Sequence, residues 1–112
     1  MAKTMVVTTK TLGSGNPQLG ALLMTSFLMN LAEAEELPES VVLLNEGVEL
    51  ACIGSAALDF LKRLEARGVA ISSCKTCVEY LDVEDRLGVG SIGTMHATVA
   101  DILGQGDTVF IG

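Results

Sequence analysis

Positive charge is scarce in this sequence of 112 residues: seven Lys and Arg stand against fourteen Asp and Glu, a formal net charge of -7. That balance repels phosphate backbones, and the few cations form no run that would make a local exception, so nucleic acid is excluded as a partner. Long apolar runs are lacking too. The richest stretch, Leu19 to Leu31, is interrupted by Gly20, Thr25, Ser26 and Asn30, short of the roughly 18–20 residues that span a bilayer. Cysteines number three, odd and too few for a secreted disulfide framework, which turns attention to thiol chemistry or metal binding. Met1-Ala2-Lys3-Thr4 runs straight into a strand pattern, so no secretory leader and a cytoplasmic, reducing location are expected. Aromatics are few, with no Trp, one Tyr and three Phe, so aliphatic side chains must fill any core.

What is present is apolar: 49% of residues are hydrophobic, which excludes a disordered chain. The length suits one domain, residues 1–112, and no linker, internal repeat or low-complexity segment divides it. The apolar surplus exceeds what one small sheet can cover, so a homo-oligomer is expected, a trimer or hexamer before a dimer.

Strand and helix patterns alternate. Met5-Val6-Val7 with Thr8 and Thr9 reads as a β-branched strand ending in the loop-forming Gly13-Ser14-Gly15-Asn16-Pro17. Gln18 to about Ala34 has helical spacing at Leu19, Leu22, Leu23, Phe27, Leu28 and Leu31, expected to form one broad buried stripe, with Pro17 in the first turn. Val41-Val42-Leu43-Leu44 is the continuous run of a strand buried on both faces. Ser55 is expected to cap a helix carrying Leu58, Leu61 and Leu64 as far as Gly68. Val69 to Ser72 is the third strand, Leu87-Gly88-Val89 a weaker fourth, Met95 to Leu103 a helix with Val99 and Ile102 inward, and Thr108 to Ile111 the last strand. The alternation predicts a parallel α/β sheet with helices on both faces.

Cys74-Lys75-Thr76-Cys77 follows the third strand, where Val78, Tyr80 and Leu81 begin a short helix. Open α/β sheets carry functional loops at this carboxyl edge, and unpaired amides there, with Lys75, would stabilise a thiolate. Three alternatives stay open for the pair: a reactive thiol, inert core packing, or part of a metal site or structural disulfide. Zinc needs four ligands and the only other candidates are Cys52, His96 and carboxylates, so no metal is expected unless subunits share one. Cys52 reads first as a small apolar residue at the foot of the next helix. Gly13 and Gly15 lack the spacing of a nucleotide loop and read as a flexible rim. His96, the single histidine, has capping or surface packing as its default, and Glu46 and Glu49 read as solvated loop charges.

Three segments in order, Leu44-Asn45-Glu46-Gly47-Val48-Glu49-Leu50-Ala51-Cys52-Ile53-Gly54-Ser55, then Gly68-Val69-Ala70-Ile71-Ser72-Ser73-Cys74-Lys75-Thr76-Cys77, then Gly88-Val89-Gly90 ahead of Met95, carry a likeness. From Met5 to Ile111 the chain resembles the DsrE/DsrF-like domain of YedF-type proteins, which are sulfurtransferase-like proteins of selenium metabolism, without their TusA-like amino-terminal domain. The resemblance implies a three-layer α/β/α domain with a five-stranded, mainly parallel sheet in the order 4-3-2-1-5, and assembly into rings or dimers of trimers. It further implies a cysteine after the third strand, here Cys74, that carries a persulfide between partner proteins.

The expected activity is therefore sulfur or selenium handling through Cys74 and Cys77, with Cys52, Lys75, Asn45, Gly13 and Gly15 as possible accessories and no cofactor. Donor and acceptor proteins, one of them TusA-like, are the expected partners. A thiol-disulfide or redox-sensing role for the same pair, or a non-catalytic oligomeric binding module, are the alternatives. Adjacent second and third strands would put Cys52 and Cys74 on one rim beside the Gly13–Asn16 loop. Cys74, read as the first residue past the strand, is expected to be exposed and to accept sulfur first, with Cys77 more buried and acting second.

Overall fold

A computed structural model describes residues 3–112. Its elements run β1 (Lys3–Val7), α1 (Pro17–Glu33), β2 (Ser40–Leu43), a 3-10 segment (Asn45–Ala51), α2 (Leu58–Ala66), β3 (Ala70–Cys74), α3 (Lys75–Leu81), a 3-10 turn (Glu84–Arg86), β4 (Ser91–Gly93), α4 (Met95–Ile102) and β5 (Asp107–Ile111). The five strands form one sheet in the order β4-β3-β2-β1-β5, and every neighbouring pair is parallel. Parallel neighbours need crossovers, and right-handed crossovers dictate the layers. The steps from β1 to β4 march one way, placing α1, α2 and α3 on one face; the return from β4 to β5 sends α4 across the other.

The first face holds the core. Met5, Val7, Val41, Leu43 and Ile71, alternate residues of the three central strands, meet Met24 and Leu28 of α1, Leu61 and Leu64 of α2 and Val78 of α3. Burying each such side chain is worth about 1.5–3 kcal/mol. On the second face Val6 and Val42 are buried as well, so the central strands are covered on both sides, as their continuous apolar runs require.

Helix α1 begins as its sequence suggests: Pro17 opens it and the Asn16 carboxamide oxygen accepts from the Leu19 amide at 3.0 Å. Its buried face matches the expected stripe only in part, since Leu28 is enclosed and Phe27 and Leu31 pack against the core. Gly20, Met24, Leu28 and Ala32 face inward, while Leu19, Leu22 and Leu23 are 54%, 69% and 44% exposed. The cause is local: the Gly20 carbonyl accepts from the Leu12 amide at 2.9 Å, and a Cβ on Gly20 would lie 2.9 Å from that of Thr11, so only glycine lets the helix approach the loop before it.

Three other expectations are corrected. Ser55 does not cap α2 itself: its hydroxyl accepts from the Ala57 amide at 3.1 Å, in a turn that precedes Leu58. The fourth strand is Ser91–Gly93, not Leu87–Val89. Leu87 bridges antiparallel to Cys52, the Gly88 amide bonds the Ala51 carbonyl at 2.8 Å, and Val89 dips into the core. Gly90, at φ 75 and with no room for a Cβ against the Ile71 carbonyl, then turns the chain into β4. In α4 it is Thr98 that is buried, whereas Val99 is 46% exposed.

Candidate thiol site

The site starts at the end of β3. That strand runs two residues further than the pattern of Val69 to Ser72 suggested, so Cys74 is its last residue, in register with Gly93 of β4, and at the same time the residue that leads into α3. Cys74 is only 4% exposed. Cys77, one helical turn on, is partly exposed and opens into a depression of about 250 Å³ lined also by Asn45, Thr76, Tyr80 and Leu81. The expected asymmetry is therefore reversed: the outward thiol is Cys77 and the enclosed one is Cys74. Cys74 lies within the sheet, not past it.

A second element holds Cys77. The backbone N–H of Asn45 donates to Cys77 Sγ at 3.1 Å. Asn45 follows β2, the strand beside β3, and has φ 52, a left-handed conformation that asparagine tolerates better than most residues. Both flanks of that turn are fixed. The Leu44 amide donates to the Val7 carbonyl at 2.9 Å, and a Cβ on Gly47 would run into the same carbonyl oxygen.

Four influences set the acidity of Cys77. Burial pushes the thiol above its usual range, the Asn45 amide pulls it back, the neighbouring Cys74 thiol pushes it up further, and the backbone of Cys77 itself lowers it. The net direction is upward, so Cys77 is mostly protonated near neutral pH.

The fold has solved counterparts. The structure titled as the ychN protein from E. coli superposes on it with a TM-score of 0.73, covering 99% of this chain and 100% of that one at 18% identity. A protein of unknown function from Methanobacterium thermoautotrophicum, MTH1491, gives 0.66 at 19% identity over 98% and 99%. The chain has the DsrE-like fold. No family model and no curated protein matches the sequence.

Within this DsrE-like fold the remaining expected residues are spread out. Cys52 ends the 3-10 segment, buried, with its thiol donating to the Val48 carbonyl at 3.5 Å. The depression of about 220 Å³ that it lines, with Glu49, Ser55, Val83 and Arg86, includes neither Cys74 nor Cys77. Burial raises the Cys52 thiol, Arg86 lowers it and Glu49 raises it. Cys52 and Cys77 thus line separate depressions. Gly13 and Gly15 lie exposed in the β1–α1 loop and line no part of the Cys77 depression. Lys75 is exposed and also absent from that lining, while Asn45 is present through its backbone. Lys10 and Glu49 form an exposed ion pair at 3.5 Å, and His96 sits exposed in the first turn of α4. Among the described residues no three of His, Cys, Asp and Glu gather as a metal site would need, and no helix is long and apolar enough to cross a membrane.

Tyr80 was not singled out from sequence, yet it is 87% exposed at the edge of the depression. Its spacing was the available signal: three residues after Cys77 on a helix, it must share that face.

Proposed function

We propose that this protein is a cysteine persulfide carrier, taking a sulfane sulfur (or selenium) atom from one partner protein and passing it to another through the Cys74/Cys77 pair. The observation that carries the proposal is the paired geometry at the carboxyl edge of the sheet: one thiol open to a small depression, a second enclosed one helical turn before it. In loading, the Cys77 thiolate attacks the terminal sulfur of a donor persulfide; a bond forms between Cys77 Sγ and that sulfur, the donor's S–S bond breaks, and the donor leaves as a thiolate. Delivery to an acceptor thiolate is the same exchange in reverse, with no net oxidation. Alternatively Cys74 attacks Cys77 Sγ, forming a disulfide and expelling hydrosulfide, after which a dithiol reductant must reset the pair.

The test is direct. Incubation of the reduced protein with a cysteine desulfurase and cysteine is expected to add the mass of one sulfur atom to the peptide containing Cys77. A Cys74–Cys77 disulfide as sole product would favour the thiol-disulfide reading, which the closeness of the two thiols also supports.

Its donor and acceptor would be separate proteins, one of them TusA-like, in a reducing compartment such as the cytoplasm. Assembly into a trimer or hexamer is part of the same proposal. Leu22, Met95, Val99, Leu103 and Phe110 are between 46% and 79% exposed, apolar surface that a second copy would cover. Light scattering is expected to give a multiple of 11.7 kDa, and a monomer at micromolar concentration would remove the claim.

A further inference from the structure

We infer that Asn45 is the positioning residue of this carrier: its backbone N–H, held out by a left-handed turn, stabilises the Cys77 sulfur whenever that sulfur bears negative charge. The inference rests on the carrier reading and adds to it a group that acts on both half-reactions.

The geometry has two independent parts. One is the bond, with the Asn45 N–H 3.1 Å from Cys77 Sγ. The other is the rigidity of its source. The turn belongs to the chain leaving β2, not to α3, and its flanks are tied to β1 through the Leu44–Val7 hydrogen bond, the contact of Gly47 with the Val7 carbonyl and the 2.8 Å bond from the Gly47 amide back to the Leu44 carbonyl. The amide therefore keeps its place while the charge on sulfur changes, which is what preorganised stabilisation needs.

Charge on Cys77 appears at two moments. On loading, the thiolate is the nucleophile that bonds to the donor's terminal sulfur. On delivery, the bond between Cys77 Sγ and the carried sulfur breaks, and Sγ leaves with the electron pair. An N–H donor binds the thiolate more strongly than the neutral thiol or the persulfide. It thus raises the thiolate fraction before loading and eases departure at delivery. The N–H opposes the upward push of burial on this thiol, so its loss should move the ionisation to higher pH.

The turn offers a clean pair of variants. Asn45→Gly keeps the N–H and adopts positive φ freely, whereas Asn45→Val disfavours that conformation and swings the N–H away. Alkylation of Cys77, followed by peptide mapping across pH, is expected to match wild type in the glycine variant. In the valine variant it should shift to higher pH and slow roughly 10- to 100-fold near neutrality, the worth of one hydrogen bond to a charged group. A folded valine variant with the wild-type profile, or a glycine variant as impaired as valine, would overturn the inference, the second by assigning the effect to the carboxamide. Should the valine variant misfold, the wild type still decides: the Asn45 amide proton should move in NMR as Cys77 titrates and stay still in Cys77→Ser, and an amide indifferent to the titration would sink the idea. Alkylation needs no sulfur donor, so failure of sulfur loading beside an intact amide effect would reject the carrier reading alone.

Discussion

Cys77→Ser is expected to abolish sulfur loading, whereas Cys74→Ser should load and then hold its adduct longer than wild type. The reasoning is access. A donor persulfide sits on another protein, and of the two thiols only Cys77 opens to the depression beside Tyr80 and Thr76, while Cys74 is 4% exposed. Removing Cys77 leaves no reachable nucleophile. Removing Cys74 takes away the thiol that would resolve the persulfide into a disulfide, and hydroxyl is no substitute. Cys52→Ser should behave as wild type, since Cys52 lines a different depression. Mass mapping of each variant after incubation with the desulfurase reads all three outcomes. An adduct retained in Cys77→Ser and lost in Cys74→Ser would restore the order that the sequence resemblance implied.

Leu28→Ala should cost about 2–5 kcal/mol of folding stability, and Leu22→Ala no more than about 0.5 kcal/mol. Both residues lie in α1, and spacing alone puts both on its apolar stripe. In the folded protein Leu28 is fully enclosed against the sheet while Leu22 is 69% exposed. Urea unfolding of the two variants at low protein concentration measures the contrast, and equal losses would mean that α1 docks by its other face. Repeating the melt where the chain is assembled adds information, because a Leu22 cost that appears only at high concentration would place that residue in the contact between copies.

The fold was legible where one physical signal dominated. Val41 to Leu43 is apolar without interruption because β2 is covered on both faces, and Pro17 announced the start of α1. Legibility failed where long-range contacts decide. Helix α1 is apolar on almost every side, so its periodicity could not choose a face; the choice was made by Gly20 against Thr11 and Leu12. Leu87 to Val89 has strand composition, yet its backbone is engaged by Ala51 and Cys52 and the sheet resumes only after Gly90. At the site, C-x-x-C after a strand marked the place of the pair, and the exposure of its two thiols came out reversed, with Cys74 still inside the strand rather than past it. Asn45 entered as an accessory residue; that its backbone rather than its side chain would meet a sulfur depends on a left-handed turn that no residue pattern displays.

The return of the chain through α4 has a consequence for how the molecule is made. The final strand, β5, pairs with β1, and the Thr8 amide bonds the Ile111 carbonyl across a separation of 103 residues. During synthesis β1 emerges before β5, and its outer edge stays unpaired until β5 follows. Strands β1 to β4 can assemble beforehand through their shorter connections, so the thiol pair forms early, on a sheet still open along one side. Pairing of β5 with β1 closes that side. Strand β5 is thus the clasp of the sheet, and a nascent chain stalled short of β5 would present an uncapped β1 edge, the kind of template to which other strands add.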